Sequence, residues 1–124
     1  MKAITNSSLA FSILRPIAHQ TVEEFWALAL NPAKVPLRTE LLFKGTVDAC
    51  LVHPREIFRF ALLANASSLI VAHNHPSQNS QPSEWDLKVT RQLVEASEIL
   101  QIPLIDHLIL TKNNYVSFAD EGWI

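Results

Sequence analysis

The chain has 124 residues, 48% of them hydrophobic, and a formal charge of −2; this fits one globular domain, expected over residues 1–124, with a core that needs no staples. An isoelectric point near 6.2 without a run of Lys or Arg gives poor footing for non-specific nucleic-acid binding, which needs a basic face. Two glycines, Gly45 and Gly122, exclude a Gly-rich phosphate loop, the lone Cys50 excludes an internal disulfide, and no apolar run is long enough to span a bilayer.

Met1–Ser8 has no apolar core of a signal peptide, so a soluble, cytoplasmic protein is expected. Ser7 to about His19 is ambiguous: Arg15-Pro16 breaks a short helix or marks a turn. Val22–Leu30 alternates Glu23, Phe25, Ala27 and Ala29 against Glu24, Trp26, Leu28 and Leu30. That pattern fits a largely buried strand, although its length also allows a helix. Asn31-Pro32 starts a turn, and Thr39–Val47 reads as the partner strand. Cys50 sits among apolar neighbours and reads as a core thiol.

Pro54 suits the first turn of a helix running to about Asn65. Its residues Ile57, Phe58, Phe60, Ala61, Leu62 and Leu63 are apolar over a wide arc, which predicts that it is mostly buried. Ser68–Ala72 is a short apolar run, as in a central strand. Ser77–Ser83 is a polar loop, followed by a helix over Glu84–Leu100 with Leu87, Leu93, Val94 and Leu100 near one stripe. Leu104–Leu110 and Tyr115–Phe118 read as strands separated by an Asn113-Asn114 turn. The alternation of strands and helices predicts an α/β layer fold. Trp26, Trp85 and Trp123 are candidate interface anchors, with core packing an equal explanation for the first two.

The chemistry concentrates where the Ser68–Ala72 strand ends. Residues i and i+2 of an extended segment point to one side, about 6.5 Å apart, so His73 and His75 can reach one ion; a bare His-x-His is also met as surface or capping histidines. Asp86 stands three residues after Ser83. Ser-x-x-Asp is itself a helix-capping pattern, but a carboxylate in a first turn is also held charged by the helix dipole. Two imidazoles and a carboxylate make three protein ligands and leave a fourth position open, the pattern of a catalytic zinc site. A hydrolase of that kind needs a carboxylate base, for which Glu23 and Glu24, on opposite faces of the early strand, are the candidates.

These residues resemble the JAMM metalloprotease motif: an upstream Glu, His-x-His, seven residues, Ser, two residues, Asp. Here they are Glu23, His73-Asn74-His75, Pro76–Pro82, Ser83 and Asp86. Within that superfamily the chain is similar to the RadC-like branch. The closer likeness lies in Glu23-Glu24-Phe25, Phe43–Thr46, His53–Glu56, His73–Ser77, Pro82-Ser83, Asp106-His107 and Ser117-Phe118. The resemblance implies a mixed β-sheet flanked by α-helices, of the JAMM/MPN type that is similar to cytidine deaminases. It implies one zinc ion per chain held by His73, His75 and Asp86, with Glu23 as the base for the catalytic water and Ser83 stabilising the oxyanion. The implied activity is cleavage of a peptide or isopeptide bond.

Asn74 and Ser77 are expected to brace the loop. Asp106-His107 reads first as a hydrogen-bonded pair at a strand start, with orientation of a ligand histidine as the alternative. The branch usually has Gly where this chain has Gln78, a change expected to reshape the loop over the metal. The chain is also read as lacking the N-terminal helical domain of longer relatives. The branch is historically associated with DNA repair, so the competing reading is a non-catalytic module that binds protein or DNA through the same fold, DNA being disfavoured by charge. A deaminase is set aside because its Cys-x-x-Cys ligands are missing, and a two-metal nuclease because ligands for one metal are present.

Overall fold

The computed structural model describes residues 2–45 and 52–124; Cys50 lies outside them. Its elements run α1 (Ser7–Leu14), a 3₁₀ turn (Arg15–His19), β1 (Glu24–Leu30), β2 (Pro36–Lys44), α2 (Pro54–Leu63), β3 (Ser68–Asn74), α3 (Glu84–Leu100), β4 (Leu104–Leu110) and β5 (Tyr115–Ser117). The described strands form one mixed sheet in the order β2-β1-β3-β4-β5. β1 is antiparallel to β2 and β3, β3 is parallel to β4, and β4 is antiparallel to β5. The parallel pair is joined through α3, because parallel neighbours need a crossover long enough to return the chain.

The ambiguous first segment resolves into a helix capped by Asn6, whose side chain accepts from the Leu9 N–H, and a 3₁₀ turn with Pro16 near its start. Val22–Leu30 contains a strand, Glu24–Leu30, rather than a helix, and its alternation sorts onto two faces. Phe25, Ala27 and Ala29 join α2 and α3 through Ile57, Phe60, Val89 and Leu93. Leu28 and Leu30 pack with Ala10, Leu14 and Ile17 on the other face. Both faces of the sheet are therefore covered, which is why β3 is buried along its whole length.

Four expectations need correcting. β2 begins at Pro36, earlier than Thr39, and its described part ends at Lys44. In α2 the last turn is open: Leu62 and Leu63 are 60% and 66% exposed, because only the arc carrying Ile57, Phe58, Phe60 and Ala61 meets the sheet. The buried stripe of α3 is Asp86, Val89, Thr90, Leu93 and Ser97, not the run through Leu87 and Leu100. The helix is turned so that three polar residues, Asp86, Thr90 and Ser97, face inward, and each has a hydrogen-bond partner. Trp85 is 46% exposed, so core packing does not explain it. Among the described residues no helix is long and apolar enough to cross a membrane.

Candidate metal centre

The end of β3 and the start of α3 meet at the cluster. His73 is opposite Phe25 in the β1–β3 register and fully buried, its ring stacked on Phe25 at 5.9 Å between centroids. His75 follows the last strand residue and has the same side-chain direction. Its Nδ1 lies 2.7 Å from the Asn79 carbonyl. A carbonyl only accepts, so that nitrogen carries the proton and a ligating His75 presents its Nε2 lone pair.

α3 starts on a capping box. Ser83 Oγ accepts from the Asp86 N–H at 3.1 Å, and Asp86 Oδ2 accepts from the Ser83 N–H at 2.8 Å. The capping reading and the ligand reading of Ser-x-x-Asp are thus both met. The same carboxylate that caps the helix stands 3.2 Å (Oδ1) from His73 Nε2 and 3.3 Å (Oδ2) from His75 Nε2. The two Nε2 atoms are 3.0 Å apart, and one donor atom from each residue lies within 4.8 Å of the others.

The electrostatics follow from that packing. Burial alone would raise the Asp86 pKa, but hydrogen bonds from His73, His75 and the Ser83 N–H outweigh it and hold the carboxyl far below the usual range. Burial alone would lower that of His75, but Asp86, the Asn79 carbonyl and Glu23 reverse this and raise it.

The donor set suits a metal ion. Nε2, Nε2 and a carboxylate oxygen separated by 3.0, 3.2 and 3.3 Å call for a positive charge between them. In a tetrahedral zinc site, bonds of about 2.0–2.1 Å place ligand atoms roughly 3.3 Å apart. His73, His75 and Asp86 are therefore a group that can hold a metal ion.

The remaining sequence candidates divide into those that reach the cluster and those that do not. Glu23, Ser77 and Ser83 line a pocket of about 360 Å³ with His75, Asn79, Gln81, Trp85 and Asp86. Glu24 is committed elsewhere: its carboxylate accepts from Trp26 Nε1 at 2.9 Å and meets Lys44 at 4.0 Å. Asn74 points to the opposite face from the two histidines. Its Oδ1 accepts from the Glu24 N–H at 2.7 Å, and its Nδ2 donates to the Val22 and Gln20 carbonyls at 3.0 and 3.2 Å. It therefore pins the backbone on both sides of Glu23.

Gln78 adopts a left-handed φ of +68°, a conformation that glycine takes without cost. Its side chain compensates by accepting from the Lys112 N–H at 2.8 Å. Asp106 lies away from the cluster. Its carboxylate accepts from Ser117 Oγ and from the His107 and Ala119 N–H groups, closing the β4–β5 connection. Burial raises its pKa, partly offset by those bonds. The His107 ring does face the cluster, with Nε2 2.9 Å from His73 Nδ1. Thr90 was missed by sequence reasoning; its one signal was its place four residues after Asp86 on the same helix face.

A mixed sheet covered by helices, with two histidines at a strand end and an aspartate in the next helix's first turn, defines the JAB/MPN class of fold. The RadC-like JAB domain family matches residues 4–123, and the chain belongs to that family. It is 41% identical over 123 residues to a UPF0758 protein of Flavobacterium johnsoniae, covering 98% of this chain and 54% of that protein. Identity to a UPF0758 protein of Symbiobacterium thermophilum is 38% over 120 residues, covering 96% and 51%. Identity to one from Xanthomonas euvesicatoria is 46% over 102 residues, covering 82% and 45%. The chain spans about half the length of these curated relatives.

Proposed function

We propose that the chain is a zinc-dependent hydrolase of the JAMM type that cleaves peptide or isopeptide bonds. The observation that carries this reading is the convergence of His73, His75 and Asp86 beside a pocket that also takes in Glu23 and Ser83. Zinc there would supply Lewis acidity, acidifying a water and polarising a carbonyl. Glu23 takes a proton from the attacking water as the carbon–oxygen bond forms, and returns it to the leaving nitrogen as the carbon–nitrogen bond breaks. The Ser83 oxygen already accepts from the Asp86 N–H, so its own O–H is left to donate to the developing oxyanion. Asn74 keeps Glu23 in place by holding the backbone around it.

The test is the zinc content of the purified protein by elemental mass spectrometry, beside His73→Ala and Asp86→Ala. About one zinc per chain, lost in both variants, is expected. No zinc in the wild type after loading and dialysis would sink the hydrolase reading and favour a binding module. Salt-dependent DNA binding by that metal-free chain would then identify DNA as its partner.

A further inference from the structure

Behind the cluster lies a second layer of polar side chains that the reaction above does not use. His107 is wholly buried on β4, its ring stacked on Phe118 at 4.5 Å and set edge-on to Phe25 at 5.6 Å. Its Nδ1 lies 2.7 Å from Thr90 Oγ1, and its Nε2 lies 2.9 Å from His73 Nδ1. Thr90 Oγ1 in turn lies 2.7 Å from the backbone carbonyl of Asp86. A hydrogen-bonded path thus runs from the Asp86 carbonyl through Thr90 and His107 to His73, whose Nε2 stands 3.2 Å from the Asp86 carboxylate.

The path has one direction. Two oxygens 2.7 Å apart need a proton between them, and the Asp86 carbonyl has none. Thr90 therefore spends its hydroxyl proton on that carbonyl and must accept from His107, which puts the His107 proton on Nδ1. The ring is wholly buried against Phe25 and Phe118, where a charged imidazole would be costly to hold, so it has a single ring proton. Its Nε2 is then a lone pair, which fixes the facing His73 Nδ1 as the donor.

We propose that Thr90 and His107 are positioning residues for the metal site, a one-way relay anchored on the Asp86 carbonyl that places the His73 proton on Nδ1 and turns its Nε2 lone pair toward His75 and Asp86. This rests on the zinc reading above for its purpose, but not for its structure. The helix turn that supplies the carboxylate ligand also sets the tautomer of the histidine ligand across from it. With the relay reversed, His73 would present an N–H to the cluster and could not ligate through Nε2.

The experiment pairs Thr90→Val, which keeps the shape and removes the acceptor, with Thr90→Ser, which restores it. Zinc affinity is measured by competition with a chromophoric chelator, and the histidine tautomers by long-range nitrogen–proton NMR on the wild type and both variants. Thr90→Val should bind zinc about 10–100-fold more weakly, with Thr90→Ser close to wild type. His107 in the wild type should carry its proton on Nδ1, with and without zinc, at alkaline pH. A Thr90→Val protein that binds zinc as tightly as wild type, or a His107 protonated on Nε2, would overturn the relay. If the wild type binds no zinc, the hydrolase reading falls and the tautomer alone decides: Nδ1–H on His107 upholds the relay, and Nε2–H ends it. The wild-type spectrum decides equally if Thr90→Val does not fold.

Discussion

Ser83 caps α3 and is proposed above to stabilise an oxyanion, and substitution can separate the two. Its oxygen caps α3 through the Asp86 N–H at 3.1 Å, and its proton is assigned to the oxyanion. Ser83→Ala removes both. The lost cap costs about 1 kcal/mol, whereas Ser83→Gly costs only a few tenths, so melting should fall by roughly 3–5 °C in the alanine variant and little in the glycine variant. Asp86 keeps its bond from the residue-83 N–H in both, and His73 and His75 are untouched, so zinc content should stay at wild-type level. Turnover should fall in both variants by about 10²–10³, the effect of losing one oxyanion donor. Melts, zinc content and the rate on any peptide or isopeptide that the wild type cleaves are measured side by side. Turnover that follows melting temperature, with the glycine variant nearly as fast as wild type, would refute the oxyanion assignment and leave Ser83 as a cap. Loss of zinc from either variant would show that the cap, rather than the hydroxyl proton, is what the site needs.

Glu23→Gln should retain zinc and lose about 10²–10⁴ of the rate; unchanged turnover would remove Glu23 as the base. Zinc must displace the proton that the raised His75 pKa favours, so affinity measured by chelator competition should weaken as pH falls through that pKa. In the metal-free protein, Asp86 contributes stability above its unfolded value of 3.8, which is lost as pH falls through the depressed folded pKa. His75 contributes stability below its unfolded value of 6.5, which is lost as pH rises through the raised one. Burial pushes the His107 pKa down, which opposes the His75 contribution below 6.5, so each contribution is read as the melting difference between chelated wild type and Asp86→Asn or His75→Ala; a difference that does not change with pH would contradict the corresponding shift. Gln78→Ala keeps the left-handed φ and loses the bond to Lys112, so it should destabilise by about 0.5–1.5 kcal/mol. Gln78→Gly also relieves a backbone cost of about 1–2 kcal/mol and should be the more stable of the two in urea unfolding.

The strands, the two long helices and the ligand cluster were legible because each leaves a local mark. Alternation in Val22–Leu30 sorted Glu23 from Glu24 by face, and the spacing of His73, His75, Ser83 and Asp86 fits one strand end and one helix start. What was not legible depends on how elements turn against each other. The inward face of α3 follows from buried polar residues, Asp86 and Thr90, that hydrophobic periodicity does not count. Asp106 and His107, adjacent in sequence, point their side chains to opposite faces of β4, as successive strand residues must; the Asp106 carboxylate accepts from the His107 backbone N–H, while the His107 ring meets His73. Thr90 carried no motif of its own; its role appears only when β4 brings His107 to 2.7 Å.

Register is what makes one short segment serve both sides of the sheet. On β3, His73 faces the layer with α3, and the next residue, Asn74, faces the layer that holds the Gln20–Val22 backbone. The antiparallel pairing sets Phe25 opposite His73, and Glu23, the residue just before β1, lines the pocket with His75 and Asp86, while Glu24 turns away to Trp26. The parallel pairing sets His107 beside Val71, two residues before His73 and on the same face, which brings the two imidazoles to 2.9 Å. A one-residue slip between β1 and β3 would exchange faces along the strand, sending Glu23 away from His73 and burying a carboxylate among apolar side chains. The hydrophobic alternation that prevents such a slip, Phe25, Ala27 and Ala29 on one side and Leu28 and Leu30 on the other, therefore also sets which glutamate the cluster receives. The core and the site are specified by the same pattern, and a substitution that loosened the β1–β3 register would displace Glu23 before it unfolded the chain.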